Sequence, residues 1–179
     1  MKVIKSIPLI ITSIGVQQVF ALQKPNVVMM VVDDLGWKDL GVYGSDYHKT
    51  PQIDQFSKDG VIFSNAYAAC TVSSPTRASI MTGKYPAKLH LTDWIEGHKM
   101  PNAKLKIPDW TMYLPTEETT LAEVFKANGY ATIHIGKWHL GESDQYWPEH
   151  QGFDINIGGW SKGQPNLDKK ADANGYFSP

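Results

Sequence analysis

The chain has 179 residues, a formal net charge of −1, and a composition that is 42% hydrophobic and 20% charged. That length suits one domain with its own core, and the balanced charge argues against a nucleic-acid binder or any partner held by a surplus of one sign. Cys70 is the single cysteine, so an internal disulfide is excluded as well.

Lys2 and Lys5 precede an apolar run from Ile7 through Phe20, and Val19-Phe20-Ala21 offers small residues before a cut. This is the pattern of a signal peptide over residues 1–21, cleaved after Ala21. A membrane anchor needs about 20 predominantly apolar residues, which the polar interruptions deny. The mature chain, 22–179, is therefore expected in the periplasm or outside the cell, with no membrane attachment after cleavage. Asn26-Val27-Val28-Met29-Met30-Val31-Val32 reads as a strand buried on both faces, ended by Asp33-Asp34. Ligands in open α/β sheets gather beyond the carboxyl ends of strands, and paired carboxylates suit a hard ion such as calcium or magnesium. A solvated turn explains the pair equally well.

Thr50-Pro51 predicts a helix with Ile53 and Phe56 on its core face and Gly60 as its stop, followed by a strand over Val61–Tyr67. The stretch Ser73-Ser74-Pro75-Thr76-Arg77 then predicts another helix, with Ser74 as N-cap, Pro75 at the first position and Gly83 at the stop. Ser73 falls just outside that start, where unpaired N–H groups favour an anion, and Arg77 in the first turn can reach back to the same spot. A serine hydroxyl alone is a weak nucleophile and needs activation. Cys70 reads as a small packed residue, the alternative being a reactive thiol.

Between Lys84 and Thr119 the prolines at 86, 101, 108 and 115 predict a long, partly irregular excursion over the site. Trp94 and Trp110 there either stack on a ligand ring or anchor the loop on the protein itself. His90 and His98 have no metal-ligand spacing. Thr120-x-x-Glu123 is a capping box opening a helix, with Leu121, Val124 and Phe125 at helical spacing and Gly129 at its end. A strand over Tyr130–Ile135 follows, and Gly136-Lys137-Trp138-His139-Leu140-Gly141 lies at its end. Continued extension puts Lys137 and His139 on one side and Trp138 on the other. His134 falls deeper, as a packed core histidine. Helix and strand alternate as in a parallel α/β sheet flanked by helices.

Ser73-x-Pro75-Thr76-Arg77-x-x-x-x-Thr82-Gly83 resembles the signature of the formylglycine-dependent sulfatases, of the serine type, within the alkaline phosphatase superfamily. Asp33-Asp34-Leu35-Gly36, the Gly136–Gly141 hexapeptide and Gly152-Phe153-Asp154 are similar to further segments of that family. The resemblance implies a largely parallel α/β sheet and a Ser73 oxidised to formylglycine by a radical-type maturation enzyme. It also implies Ca2+, with Mg2+ possible, held by Asp33, Asp34 and the modified Ser73. Arg77 and Lys137 are implied at the sulfate, and His139 at the formylglycine hydroxyl. The implied activity is hydrolysis of sulfate esters, of sulfated sugars or glycans where export is considered. The resemblance reaches only the N-terminal portion of a sulfatase catalytic domain, so the sheet is expected to lack its later strands. A truncated, non-catalytic binding remnant and a phosphoester or phosphonate hydrolase on the same scaffold are the alternatives.

Overall fold

A computed structural model describes residues 24–98 and 100–163. The expected signal peptide over 1–21 and most of the polar stretch from Ser161 onward lie outside the described residues. The chain divides into two units, one ending at Leu35 and the other starting at Gly36.

In the first unit the run Asn26–Val32 is not a strand, and its valines and methionines are exposed. A β-branched apolar run marks a segment that gains from being covered, but a strand exists only with a neighbour to complete its ladder. A turn carrying Asp33 and Asp34 ends the run.

In the second unit a short 3-10 turn, Gly41–Tyr43, packs on α1, Pro51–Phe56. Thr50 precedes α1 as expected. Its hydroxyl, however, serves tertiary contacts: it accepts from Gly41 N–H at 2.8 Å and donates to Asp54 at 3.0 Å. The helix stops at Phe56, before Gly60, and Ile53 and Phe56 are exposed where a core face was expected. Residues 61–67 likewise form no strand. One and a half turns of helix beside an unpaired segment leave that apolar face with nothing to lie on.

The core lies further on. Helix α2, Ser73–Thr82, buries Ser74, Pro75 and Ala78 and ends on Gly83, whose φ of 68° is the left-handed stop expected of it. Its start differs from expectation: Val72 is the N-cap, Ser73 and Ser74 are the first two helical residues, and Pro75 is the third. Proline is tolerated there because no N–H of the first turn has a carbonyl four residues back.

The excursion from Lys84 to Thr119 supplies much of the core. It buries Leu89 at the end of α3, Pro86–Leu89, and then Leu91, Ile95 and Leu114, and Trp110 packs against the cluster that holds Leu89, Leu91 and Leu114 and over Gly97. Trp94 meets the His98 ring edge-on at 5.8 Å.

Helix α4, Leu121–Ala127, opens with both halves of the capping box in place. It leads into β1, Ile133–Ile135, which pairs in parallel with β2, Ile155–Ile157, in the register Ile133 to Ile155 and Ile135 to Ile157. The fold is therefore α/β with a small parallel sheet flanked by helices. All four of those isoleucines are exposed, so one face of the two-stranded sheet is uncovered. Trp138 and Leu140, just after β1, complete the core with Ala78, Leu89, Leu91 and Leu114. Among the described residues no helix is long and apolar enough to cross a membrane.

Candidate functional site

Two segments distant in sequence, the first turn of α2 and the loop after β1, meet at the Ser73 hydroxyl. Ser73 sits half-buried in the first turn of α2, and Arg77, one turn later, leans back so that Nε–H donates to Ser73 Oγ at 3.2 Å. Arg77 Nη1 donates to the carbonyl of Lys137 at 2.7 Å, which ties α2 to the loop after β1. That loop also brings His139, with Nδ1 at 3.3 Å from Ser73 Oγ.

The His139 ring is buried, and its other nitrogen, Nε2, lies 2.5 Å from the Ile95 carbonyl. A carbonyl only accepts, so Nε2 carries the proton. In the neutral ring Nδ1 is then an acceptor, and the Ser73 hydroxyl donates to it.

The loop gets this shape by leaving the strand. Gly136 has φ 94° and His139 φ 62°, so the two-residue alternation expected for Lys137, Trp138 and His139 does not persist past Ile135. Histidine is among the side chains that enter this region more readily, and a non-glycine residue held there is a frequent mark of functional sites. The end of β2 and the loop after it pin it: Gly136 N–H donates to the Ile157 carbonyl at 2.8 Å and His139 N–H to the Trp160 carbonyl at 3.1 Å. Trp138 is fully buried, its indole N–H donating to the Tyr146 carbonyl at 2.8 Å. Lys137 is half-buried along Gly163, where an added Cβ would stand 2.8 Å from Lys137 Cε.

Ser73, Arg77, Lys137 and His139 thus belong to one neighbourhood. Asp33 and Asp34 belong to the first unit, exposed at a turn, with Asp34 at φ 57°. Among the described residues no three His, Cys, Asp or Glu side chains gather into a set for a metal ion. Two carboxylates have the donor chemistry of a hard cation, but a calcium shell takes six to eight oxygens. These residues alone do not fit the ion.

The hydroxyl of Ser74, expected as an N-cap, instead accepts the Ile95 N–H at 3.1 Å. Sequence reasoning missed Ile95, Trp160 and Gly163, because two of them act through main-chain carbonyls that every residue has and the third through the absence of a side chain. His134 is half-buried as expected, against the rings of Trp138 at 5.2 Å and Phe153 at 5.3 Å, and burial holds its imidazole below the usual histidine pKa. Cys70 is a free, half-buried thiol whose carbonyl accepts from the Thr76 hydroxyl at 2.7 Å. His98 pairs with Asp93 at 2.7 Å on the surface, and His90 is exposed.

A family model described as Sulfatase matches residues 25–179. N-acetylgalactosamine-6-sulfatase of Rattus norvegicus is 36% identical over 149 residues, which cover 81% of this chain and 27% of that protein. Arylsulfatase A of Homo sapiens is 37% identical over 136 residues, covering 75% of this chain and 25% of that protein. Among solved structures, Ps i-CgsB in complex with k-i-k-neocarrahexaose is 38% identical with a TM-score of 0.61, over 74% of this chain and 27% of that one. The chain spans about a quarter of the length of the curated relatives it matches.

Proposed function

This chain belongs to the sulfatase family, and we propose on that premise that it is the N-terminal portion, residues 22–179, of a catalytic domain that hydrolyses sulfate esters. The observation that carries the reading is the double contact on one hydroxyl: Arg77 Nε at 3.2 Å and His139 Nδ1 at 3.3 Å from Ser73 Oγ. A cation and a base meeting at a single oxygen suit a nucleophile that takes up an anionic group and then gives it up.

We assign Ser73 as the residue oxidised to formylglycine, its two hydrogens and two electrons passing to a radical-type maturation enzyme. The hydrated aldehyde supplies two hydroxyls on one carbon: one attacks sulfur as the ester S–O bond breaks, its proton going to the oxygen that departs as the alcohol, and the other expels the sulfate as the aldehyde reforms. His139 accepts the proton of the second hydroxyl on Nδ1, the nitrogen that the Ile95 carbonyl leaves unprotonated. Arg77 and Lys137 offset the charge of the transferring group. Asp33 and Asp34 would be two of the oxygen ligands of a hard cation, calcium before magnesium, whose shell they do not complete by themselves, and no step above passes through it. Relatives named for a sulfated sugar, and a structural neighbour holding a neocarrahexaose, support a sulfated sugar or glycan as substrate.

The test is a high-resolution mass of the protein from its native host across Ser73, with parallel hydrolysis of aryl sulfate and aryl phosphate. A chain starting at Leu22, two hydrogens light at Ser73 and active on the sulfate, is the expected result. Unmodified Ser73 without sulfate turnover overturns the proposal, and preference for the phosphate ester moves it to phosphoester chemistry.

A further inference from the structure

Ser73 and Ser74 are neighbours in the chain; the hydroxyl of the first meets one nitrogen of the His139 imidazole directly, and that of the second is linked to the opposite nitrogen through the main chain of Ile95. Ser73 Oγ meets His139 Nδ1 directly. Ser74 Oγ accepts the N–H of Ile95 at 3.1 Å, and the carbonyl of that same residue accepts His139 Nε2–H at 2.5 Å. Ser74 is fully buried and Ile95 and His139 are 2% and 8% exposed, so water does not compete within this chain of bonds.

We propose that Ser74 is a positioning residue for His139. By holding the Ile95 main chain against the first turn of α2, it fixes the carbonyl that keeps the ring in the Nε2–H tautomer and aims Nδ1 at Ser73. The inference rests on the reading of His139 as the base toward that residue. The requirement is for an oxygen acceptor at position 74, which a helix N-cap would not impose here because Val72 is the cap and the Ser74 hydroxyl makes no capping bond. Without that acceptor the buried Ile95 N–H has no partner, and the segment can recover one only by moving its carbonyl away from the ring.

The experiment is proton–nitrogen NMR of the full chain with labelled histidine, at a pH that keeps the rings neutral. Wild type is expected to show His139 as the Nε2–H tautomer with a slowly exchanging, low-field ring proton. In S74A, and in the near-isosteric S74C whose sulfur is a weak acceptor, exchange of that proton should accelerate roughly tenfold, the loss of about one neutral hydrogen bond. S74T should retain the wild-type signal. The ring of His134, which is packed on Trp138 and Phe153, serves as the internal control for general loosening.

An Nδ1–H tautomer in wild type, or exchange in S74C equal to wild type, overturns the proposal. So does an equal acceleration at His134. S74C decides the matter if S74A does not fold. Because the readout needs no turnover, a protein that fails to cleave sulfate esters but shows this tautomer and its loss in S74C refutes the proposed activity and leaves the positioning role standing.

Discussion

Thr120→Ala removes a single hydroxyl that closes two hydrogen bonds. Oγ1 accepts the Glu123 N–H at 3.2 Å, the N-cap half of the capping box, and donates to the Gln151 carbonyl at 2.7 Å. Thr120 and Gln151 are both fully buried, so water cannot substitute. Loss of the cap costs about 1 kcal/mol, and a buried carbonyl left without its donor costs about 1–3 kcal/mol more. The sum, roughly 2–4 kcal/mol, is a large part of the ~5–15 kcal/mol that holds a typical domain. With a urea slope of about 2 kcal/mol/M, the unfolding midpoint followed by circular dichroism should fall by about 1–2 M. Thr120→Ser keeps the hydroxyl and loses one methyl, so it should cost less than about 1 kcal/mol. The consequence reaches the site, because α4 feeds β1 and β1 carries the loop that holds Lys137 and His139. A T120A midpoint within about 0.3 M of wild type, or a T120S as unstable as T120A, would refute the reasoning.

Asp154 accepts from Lys126 Nζ at 2.7 Å and from the Thr132 N–H at 2.9 Å and hydroxyl at 3.1 Å, contacts that depress its pKa to about 2. The folded value lies below the unfolded one near 3.9, so the stabilisation is present above that value and is lost as pH falls through about 2. Urea midpoints between pH 5 and pH 2 should therefore drop less steeply for Asp154→Asn than for wild type, and parallel slopes would contradict the assignment. Leu114→Ala, in the fully buried cluster, should cost about 2–5 kcal/mol, whereas Ile135→Thr on the uncovered sheet face should stay within about 0.5 kcal/mol in the same titration. Gly163→Ala places a methyl 2.8 Å from the flexible end of Lys137, so stability should hold while that side chain shifts. Its effect is read as lower sulfate-ester turnover at an unchanged unfolding midpoint. Arg77→Lys cannot span both Ser73 Oγ and the Lys137 carbonyl, and turnover should fall roughly 100-fold or more, a loss that kinetics on the matured protein would measure.

What the sequence made legible was local. Gly83 stops α2 and the Thr120–Glu123 box starts α4, because both depend on residues within one turn of each other. The Gly136–Gly141 run falls at the end of a strand as expected, since an apolar β-branched stretch ending in glycine has few other readings. The strands expected over Asn26–Val32 and Val61–Tyr67 failed for the complementary reason: a strand is a relation between two segments, and hydropathy reports only one of them. The site divides in the same way. Ser73, Arg77, Lys137 and His139 stand out because their side chains have the functional groups that the proposed reaction needs. Their orientation comes instead from the carbonyls of Lys137, Ile95 and Trp160, which hold Arg77, the imidazole ring and the His139 backbone. Main-chain oxygens leave no mark in a sequence. Their positions follow from burying Leu91, Ile95, Leu114, Trp138 and Leu140, so the hydrophobic core of the second unit determines where the base points, and a defect in packing at Ile95 should reach Ser73 through His139 before it reaches the fold.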